Sequence, residues 1–196
     1  MTDHIAGLLG VEPAGIIYTS GASESNNLAI KGIAQASRNT GRHMISTVLE
    51  HASVGGTLTA LQQQGWEVDL LDIQRDGTID LEQLGDLLRK DTILVSVCAV
   101  DSELGTVQPI RQITEILKDF PNCRLHVDAT QAIGKTELVM DGVDTMSIAP
   151  HKFYGLNGSG LLLKKSLRFT AVPAQRFTVV VHRLWHWLFP LKKRFN

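Results

Sequence analysis

Lys152 follows an apolar run that begins at Met146. It stands beside His151 and precedes Gly155, Gly158 and Gly160 and a second apolar run through Leu163. A lysine at the end of a buried strand, ahead of a glycine-punctuated turn, is poorly placed as a solvated surface charge. Desolvation would favour its neutral, nucleophilic amine, the form that makes a Schiff base. The same pattern also occurs in ordinary loops. Three further positions carry chemistry that fits such an amine. Ser23 lies just after a Ser20-Gly21 turn, at the start of a predicted helix. Free backbone N–H groups, the helix dipole and a hydroxyl would hold an anion there; an ordinary helix cap with Glu24 in the first turn is the other reading. His51 falls at a predicted strand-to-helix junction, where a flat imidazole either stacks on an aromatic ligand or caps the helix. Asp128 ends a predicted apolar strand, and a carboxylate there needs a partner. That partner is either a cationic ring nitrogen or a local cluster of N–H groups.

These four positions depend on the elements that carry them. Short apolar runs rich in β-branched residues predict strands over 15–19, 43–47, 66–71, 92–98 and 124–128. Helical spacing predicts helices over 2–9, from about Ala22, over 51–64, from about Asp80 to Lys90, and from Pro109 to Lys118. Strand and helix alternate from residue 15 to residue 163, the pattern of a mainly parallel α/β sheet with right-handed crossovers. Ser23, His51, Asp128 and Lys152 then all fall at strand ends or just after them. An anion cradle, a flat ring, a carboxylate and an amine are together what pyridoxal phosphate requires.

Composition narrows the class. The 196 residues are 43% hydrophobic and 20% charged, which fits a globular chain and argues against disorder. A net charge of −1 gives no field for nucleic acid, and no apolar run is long enough for a membrane-spanning helix. Two cysteines, Cys98 and Cys123, cannot make a disulfide scaffold, and the first residues do not resemble a signal peptide. A reducing, cytoplasmic location is the default expectation. The charge is unevenly spread: Asp144 is the last acidic residue, and residues 145–196 hold nine of the 19 lysines and arginines. Residues 1–165 therefore read as a partial cofactor-binding large domain, and residues 166–196 as an atypical basic and aromatic tail. Three readings of the tail stand: a coding-frame change, a basic amphipathic element that touches a membrane surface or nucleic acid, and a capping helix or strand.

Five stretches resemble one family: I-I-Y-T-S-G-A-S-E-S-N-N-L-A-I-K-G, L-E-H-A-S-V, E-L-G-T-V-Q-P-I, H-V-D-A-T-Q-A-I-G-K and P-H-K-F-Y-G-L-N-G-S-G. In order and spacing they are similar to the cysteine desulfurases of the class V aminotransferase group, among the fold-type I pyridoxal-phosphate enzymes. The resemblance implies a three-layer large domain with a mainly parallel sheet, here incomplete. It implies pyridoxal 5'-phosphate as cofactor and Lys152 as its Schiff-base lysine. Asp128 would partner the ring nitrogen, His51 would stack on the ring, and Gln131 would hydrogen-bond its phenolic oxygen. Ser23 and His151 would reach the phosphate. The implied reaction removes sulfur from L-cysteine, giving L-alanine and an enzyme persulfide for iron–sulfur clusters or tRNA thiolation. The family is homodimeric and hands sulfur to an acceptor protein.

The chain departs from the family pattern in four places. It begins after the family's Asp-Asn-Ala-Ala-Thr-type segment. Asp101-Ser102 stands where two asparagines are frequent, and Ala149 where a phosphate-binding serine is common. The small C-terminal domain, with its cysteine loop and substrate-carboxylate arginine, has no counterpart. Cys98 in a predicted buried strand and Cys123 in a turn are poor nucleophiles. An enzyme that is inactive alone, a non-catalytic remnant and one part of a split enzyme therefore stay open. Selenocysteine lyase and aminotransferase are the alternative chemistries.

Overall fold

The runs rich in β-branched and apolar residues all enter one sheet in the computed structural model, which describes residues 2–165. In chain order the strands are β1 (Ile16–Thr19), β2 (His43–Thr47), β3 (Glu67–Leu71), β4 (Thr92–Cys98), β5 (Arg124–Asp128), β6 (Thr145–Ile148) and β7 (Gly160–Lys164). The helices are α1 (Thr2–Leu9), α2 (Ala22–Ser37), α3 (Ala52–Gln62), α4 (Leu81–Leu87) and α5 (Ile110–Leu117). The sheet order is β1-β7-β6-β5-β4-β2-β3. β3, β2, β4, β5 and β6 are parallel neighbours, while β7 runs antiparallel to both β6 and β1. The mainly parallel sheet expected from the sequence is present, and β7 is the exception.

Every residue of β2, β4 and β6 is buried, as a strand covered on both faces requires. One apolar core joins α1, α4 and α5 to the sheet through Ala6, Leu84, Ile113, Val95 and Val97. A second core, on α2 and α3, gathers Ile30, Ile33, Val54, Leu58, Met44 and Leu94. Helices on both sides of the sheet make three layers. α2 packs on α3 and lies over β4 to β7, so it bridges the strands that end in the candidate residues.

Several boundaries differ from the sequence reading by a residue or more, three of them for a plain local reason. α3 starts at Ala52, because His51 has extended backbone and caps it. α4 stops at Leu87, because Leu88 turns to extended backbone. β3 starts at Glu67, with Trp66 still held by the Leu61 carbonyl at the end of α3. The tail, residues 166–196, lies outside the described residues. Among the described residues no helix is long and apolar enough to cross a membrane.

Candidate functional site

The parallel strands bring their C-terminal ends to one edge of the sheet, where an open cavity of about 430 Å³ is lined by Ser23, His51, Asp128, Gln131, His151 and Lys152. All six candidates from the sequence are thus in one place. The volume lies within the usual range for small-molecule sites, about 300–1,000 Å³. Ser102 and Ala149, the two departures from the family pattern near the site, line it as well.

Each side chain has a local reason for its position. α2 is preceded by Gly21, which offers no side-chain cap to the first-turn N–H groups. Glu24 does not supply one either: its carboxylate accepts from the Ser20 N–H at 2.6 Å and from the Ser20 hydroxyl at 2.7 Å, so it closes the preceding turn. The start of α2, with the exposed Ser23, keeps its donors for an anion. The turn is pressed against β7 at Gly160, where an added Cβ would lie 2.5 Å from Thr19 Oγ1 and 2.6 Å from Gly21 backbone. His51 caps its helix, the second of the two readings. Its Nδ1 accepts from the Ser53 N–H at 3.1 Å, capping α3, and its ring lines the cavity.

Asp128 ends β5 and is 6% exposed. Its Oδ1 accepts from the Thr130 N–H at 2.9 Å and its Oδ2 from the Asn26 amide at 2.8 Å. Each carboxylate oxygen keeps a lone pair for a further donor. The neighbouring Thr130 hydroxyl is buried in the cavity wall with no partner among the described residues. Gln131 Oε1 accepts from Lys135 Nζ at 2.8 Å, which leaves the Gln131 NH₂ group as a donor.

Lys152 departs from expectation. It is exposed, and the desolvated amine read from the sequence is absent, because Pro150 starts a 3-10 turn (Pro150–Phe153) that leaves the sheet after β6. The turn is held by Lys152 N–H to the Ala149 carbonyl at 3.1 Å and Gly155 N–H to the Pro150 carbonyl at 2.8 Å. Tyr154, with φ 66°, takes the left-handed conformation that reverses the chain. Lys152 is positioned by this turn rather than by burial.

Four contributors escaped the sequence reading. Asn26, Ser53 and His126 form a polar network under Asp128, and Glu50 is packed against the end of β4. Burial pushes Glu50 up to about 8, with Asp128 adding to the rise. Burial also pulls His126 down to about 4, against the attraction of Asp128. The only signal available was polarity at helix-face and strand positions that otherwise bury apolar groups. The cysteines behave as expected. Burial pushes the Cys123 thiol up to about 12, and burial, Glu50, Asp101 and Asp128 push Cys98 up further. Cys98 also lines the cavity, which its place in an apolar strand had not suggested.

The residues fit pyridoxal phosphate. The uncapped helix start suits its phosphate, Asp128 with its spare lone pairs suits a ring N–H, and the orphaned Thr130 hydroxyl and Gln131 NH₂ suit its oxygens. Among the described residues no cluster of three metal-ligating side chains is present.

The sequence profile of aminotransferase class V matches residues 1–180. A NifS/IcsS protein homolog of Lactobacillus delbrueckii subsp. bulgaricus is 48% identical over 165 residues, covering 83% of this chain and 43% of the relative. Cysteine desulfurase IscS of Colwellia psychrerythraea is 45% identical over 162 residues, covering 82% of this chain and 40% of the relative. Among solved structures, a NifS-like protein superposes with TM-score 0.81 at 35% identity, over 88% of this chain and 47% of the other. SspA in complex with cysteine superposes with TM-score 0.80 at 37% identity, over 85% and 48%. The chain spans under half the length of the relatives it matches.

Proposed function

The chain belongs to the class V aminotransferase family, and from that premise we propose that it is the cofactor-holding part of a pyridoxal-phosphate-dependent cysteine desulfurase. The reaction would remove sulfur from L-cysteine, leave L-alanine and pass the sulfur to a cysteine thiolate as a persulfide. The observation that carries this reading is the convergence of Lys152, Asp128, His51, Gln131, Ser23 and His151 on one cavity. The names of its relatives favour a desulfurase over an aminotransferase.

When bound, pyridoxal phosphate supplies an electron sink for charge developing at the α-carbon of an amino acid. The chain's own residues divide the remaining work. The N–H groups at the start of α2, Ser23 and His151 bind the phosphate. Asp128 would accept the ring N–H. His51 covers the ring face, and Gln131 donates to the phenolic oxygen. Lys152 Nζ would hold the cofactor and would move the α-proton of a bound amino acid. The thiolate that receives sulfur is neither Cys98 nor Cys123, since both thiols are buried and held protonated.

A cytoplasmic site of action and transfer of sulfur to an acceptor protein belong to the same proposal. The 196-residue chain alone is expected to hold cofactor without turnover. Pyridoxal phosphate added to it should give a visible absorbance band that Lys152→Ala abolishes, and cysteine should yield no sustained sulfide. No band at all, in the folded wild-type chain, would overturn the proposed site.

A further inference from the structure

Asn26 is fully buried on α2, on the side facing the sheet, an unusual place for an amide. It touches three groups. Its Nδ2 donates to Asp128 Oδ2 at 2.8 Å and to Ser53 Oγ at 2.9 Å, and its Oδ1 lies 3.0 Å from His126 Nε2. Its amide hydrogens and its carbonyl oxygen are therefore all engaged.

The direction of every bond follows from Asp128, because a carboxylate only accepts. The reverse orientation of Asn26 would set its Oδ1 against Asp128 Oδ2, two acceptors in contact. The NH₂ group must therefore face Asp128 and Ser53, and Oδ1 must face His126. His126 then carries its proton on Nε2. Buried and neutral, it leaves Nδ1 bare to accept from the Thr145 hydroxyl at 2.9 Å. On the other branch, Ser53 Oγ has already accepted from Asn26, and its own hydrogen is free to donate. It lies 2.8 Å from His51 Nδ1, which the Ser53 backbone N–H also faces at 3.1 Å. Two donors aimed at one ring nitrogen require that nitrogen to be unprotonated. The proton of neutral His51 is left on Nε2, which has no protein partner among the described residues.

We propose that Asn26 is a positioning residue that holds the Asp128 carboxylate and orients the Ser53 hydroxyl toward His51 Nδ1, where it joins the Ser53 backbone N–H in keeping His51 as the tautomer protonated on Nε2. The value of this arrangement for catalysis rests on the function proposed above, since Asp128 and His51 are the groups that would meet the cofactor ring from its edge and its face. The chemical consequence is that His51 presents a donor to whatever occupies the cavity, and takes no proton at Nε2. One buried amide thereby links two groups whose positions come from different strands.

The test uses the full 196-residue chain labelled with ¹⁵N-histidine and free of cofactor, so it does not depend on the cofactor reading. Long-range ¹H–¹⁵N correlation, with His51→Gln identifying the signals, should show His51 Nδ1 unprotonated and Nε2 protonated. Ser53→Ala and Asn26→Ala should each move the His51 Nδ1 resonance while the amide spectrum stays folded. The double variant should move it no further than Ser53→Ala alone, because Asn26 acts through Ser53. A proton on His51 Nδ1 in the wild-type chain would overturn the proposal. So would additive effects of the two substitutions, or an Asn26→Ala chain whose His51 resonances stay in place. Should Asn26→Ala not fold, unchanged His51 resonances in Ser53→Ala would be the overturning result. Failure of the cofactor reading is read separately, from the absorbance band.

Discussion

The Cys98 N–H donates to Glu50 Oε1 at 2.7 Å and ties the loop before His51 to the end of β4, which floors the cavity. Thr47 Oγ1 adds a second bond to the same oxygen at 3.1 Å, while Oε2 is buried with no partner among the described residues. Burial first, and Asp128 after it, push this carboxyl from an ordinary 4.5 up to about 8. The folded chain therefore keeps a proton that the unfolded chain releases. The sign follows: Glu50 lowers stability as pH rises from 4.5 towards 8, by up to about 1.4 kcal/mol per pH unit. Glu50→Gln removes this titration, so its stability should fall less steeply than wild type between pH 5 and pH 8. Urea unfolding at pH 5, 6.5 and 8 measures the slopes, and parallel wild-type and variant curves would refute the expectation.

His126 works in the opposite direction. Burial pulls it from 6.5 to about 4, so it is neutral in the fold and protonates in the unfolded chain. Its contribution is fully present above pH 6.5 and is lost as pH falls towards 4. Between pH 4.5 and 6.5 the Glu50 and His126 slopes oppose each other. His126→Gln should therefore leave stability rising as pH falls through that interval, where wild type stays comparatively flat. Glutamine keeps an N–H for Asn26 Oδ1 but removes the Nδ1 acceptor of the Thr145 hydroxyl, which should also lower stability at pH 7 by about 1–3 kcal/mol. Thermal unfolding of both chains across the interval tests the two statements together.

The sheet was largely legible in the sequence, because apolar strands buried on both faces leave a plain signal. β4 was read to the residue, as Thr92–Cys98. The antiparallel course of β7 was not legible, since direction comes from the turn at Pro150–Phe153 and the tight approach of Gly160 to Gly21. At the site, Asp128 and Lys152 were recognisable by their places after apolar runs. Asn26 and Ser53 were not, because their meaning arises from contact with residues 102 and two positions away, the first a separation no local pattern carries. The expected desolvation of Lys152 failed for a related reason. An apolar run before a lysine says that the strand is buried, but Pro150 turns the chain outward before the lysine is reached.

Gly155 offers a test of how that turn positions the amine. A Cβ there would lie 2.6 Å from Pro150 Cβ and 2.8 Å from the Pro150 carbonyl oxygen, which the Gly155 N–H needs for its hydrogen bond. Gly155→Ala must open the turn that carries Lys152 while leaving the sheet intact. Covalent capture of pyridoxal phosphate, read by mass after borohydride reduction, should slow at least several-fold, with the unfolding midpoint reduced by no more than a few degrees. Capture at the wild-type rate would mean that the turn geometry does not set the reactivity of Lys152.

Asp128→Asn separates the charge of the carboxylate from its shape. In the wild-type chain both oxygens accept, one from Asn26 and one from Thr130. An asparagine keeps one acceptor and turns the other into a donor, which then faces a donor that cannot rotate away without releasing Ser53 or the loop after β5. One unmade buried bond costs about 1–3 kcal/mol, so the variant should be less stable than wild type by that amount. Under the proposed function it also lacks the charge that would meet the ring nitrogen, and a charge-assisted hydrogen bond is worth about 1.5–3 kcal/mol. The affinity for pyridoxal phosphate, titrated by absorbance, should therefore fall by about 10- to 100-fold. Lys152 stays in place, so slow covalent capture should persist at high cofactor concentration. Unchanged affinity would remove Asp128 from the cofactor site, and loss of all capture in a folded variant would show that Asp128 positions the turn of Lys152 as well.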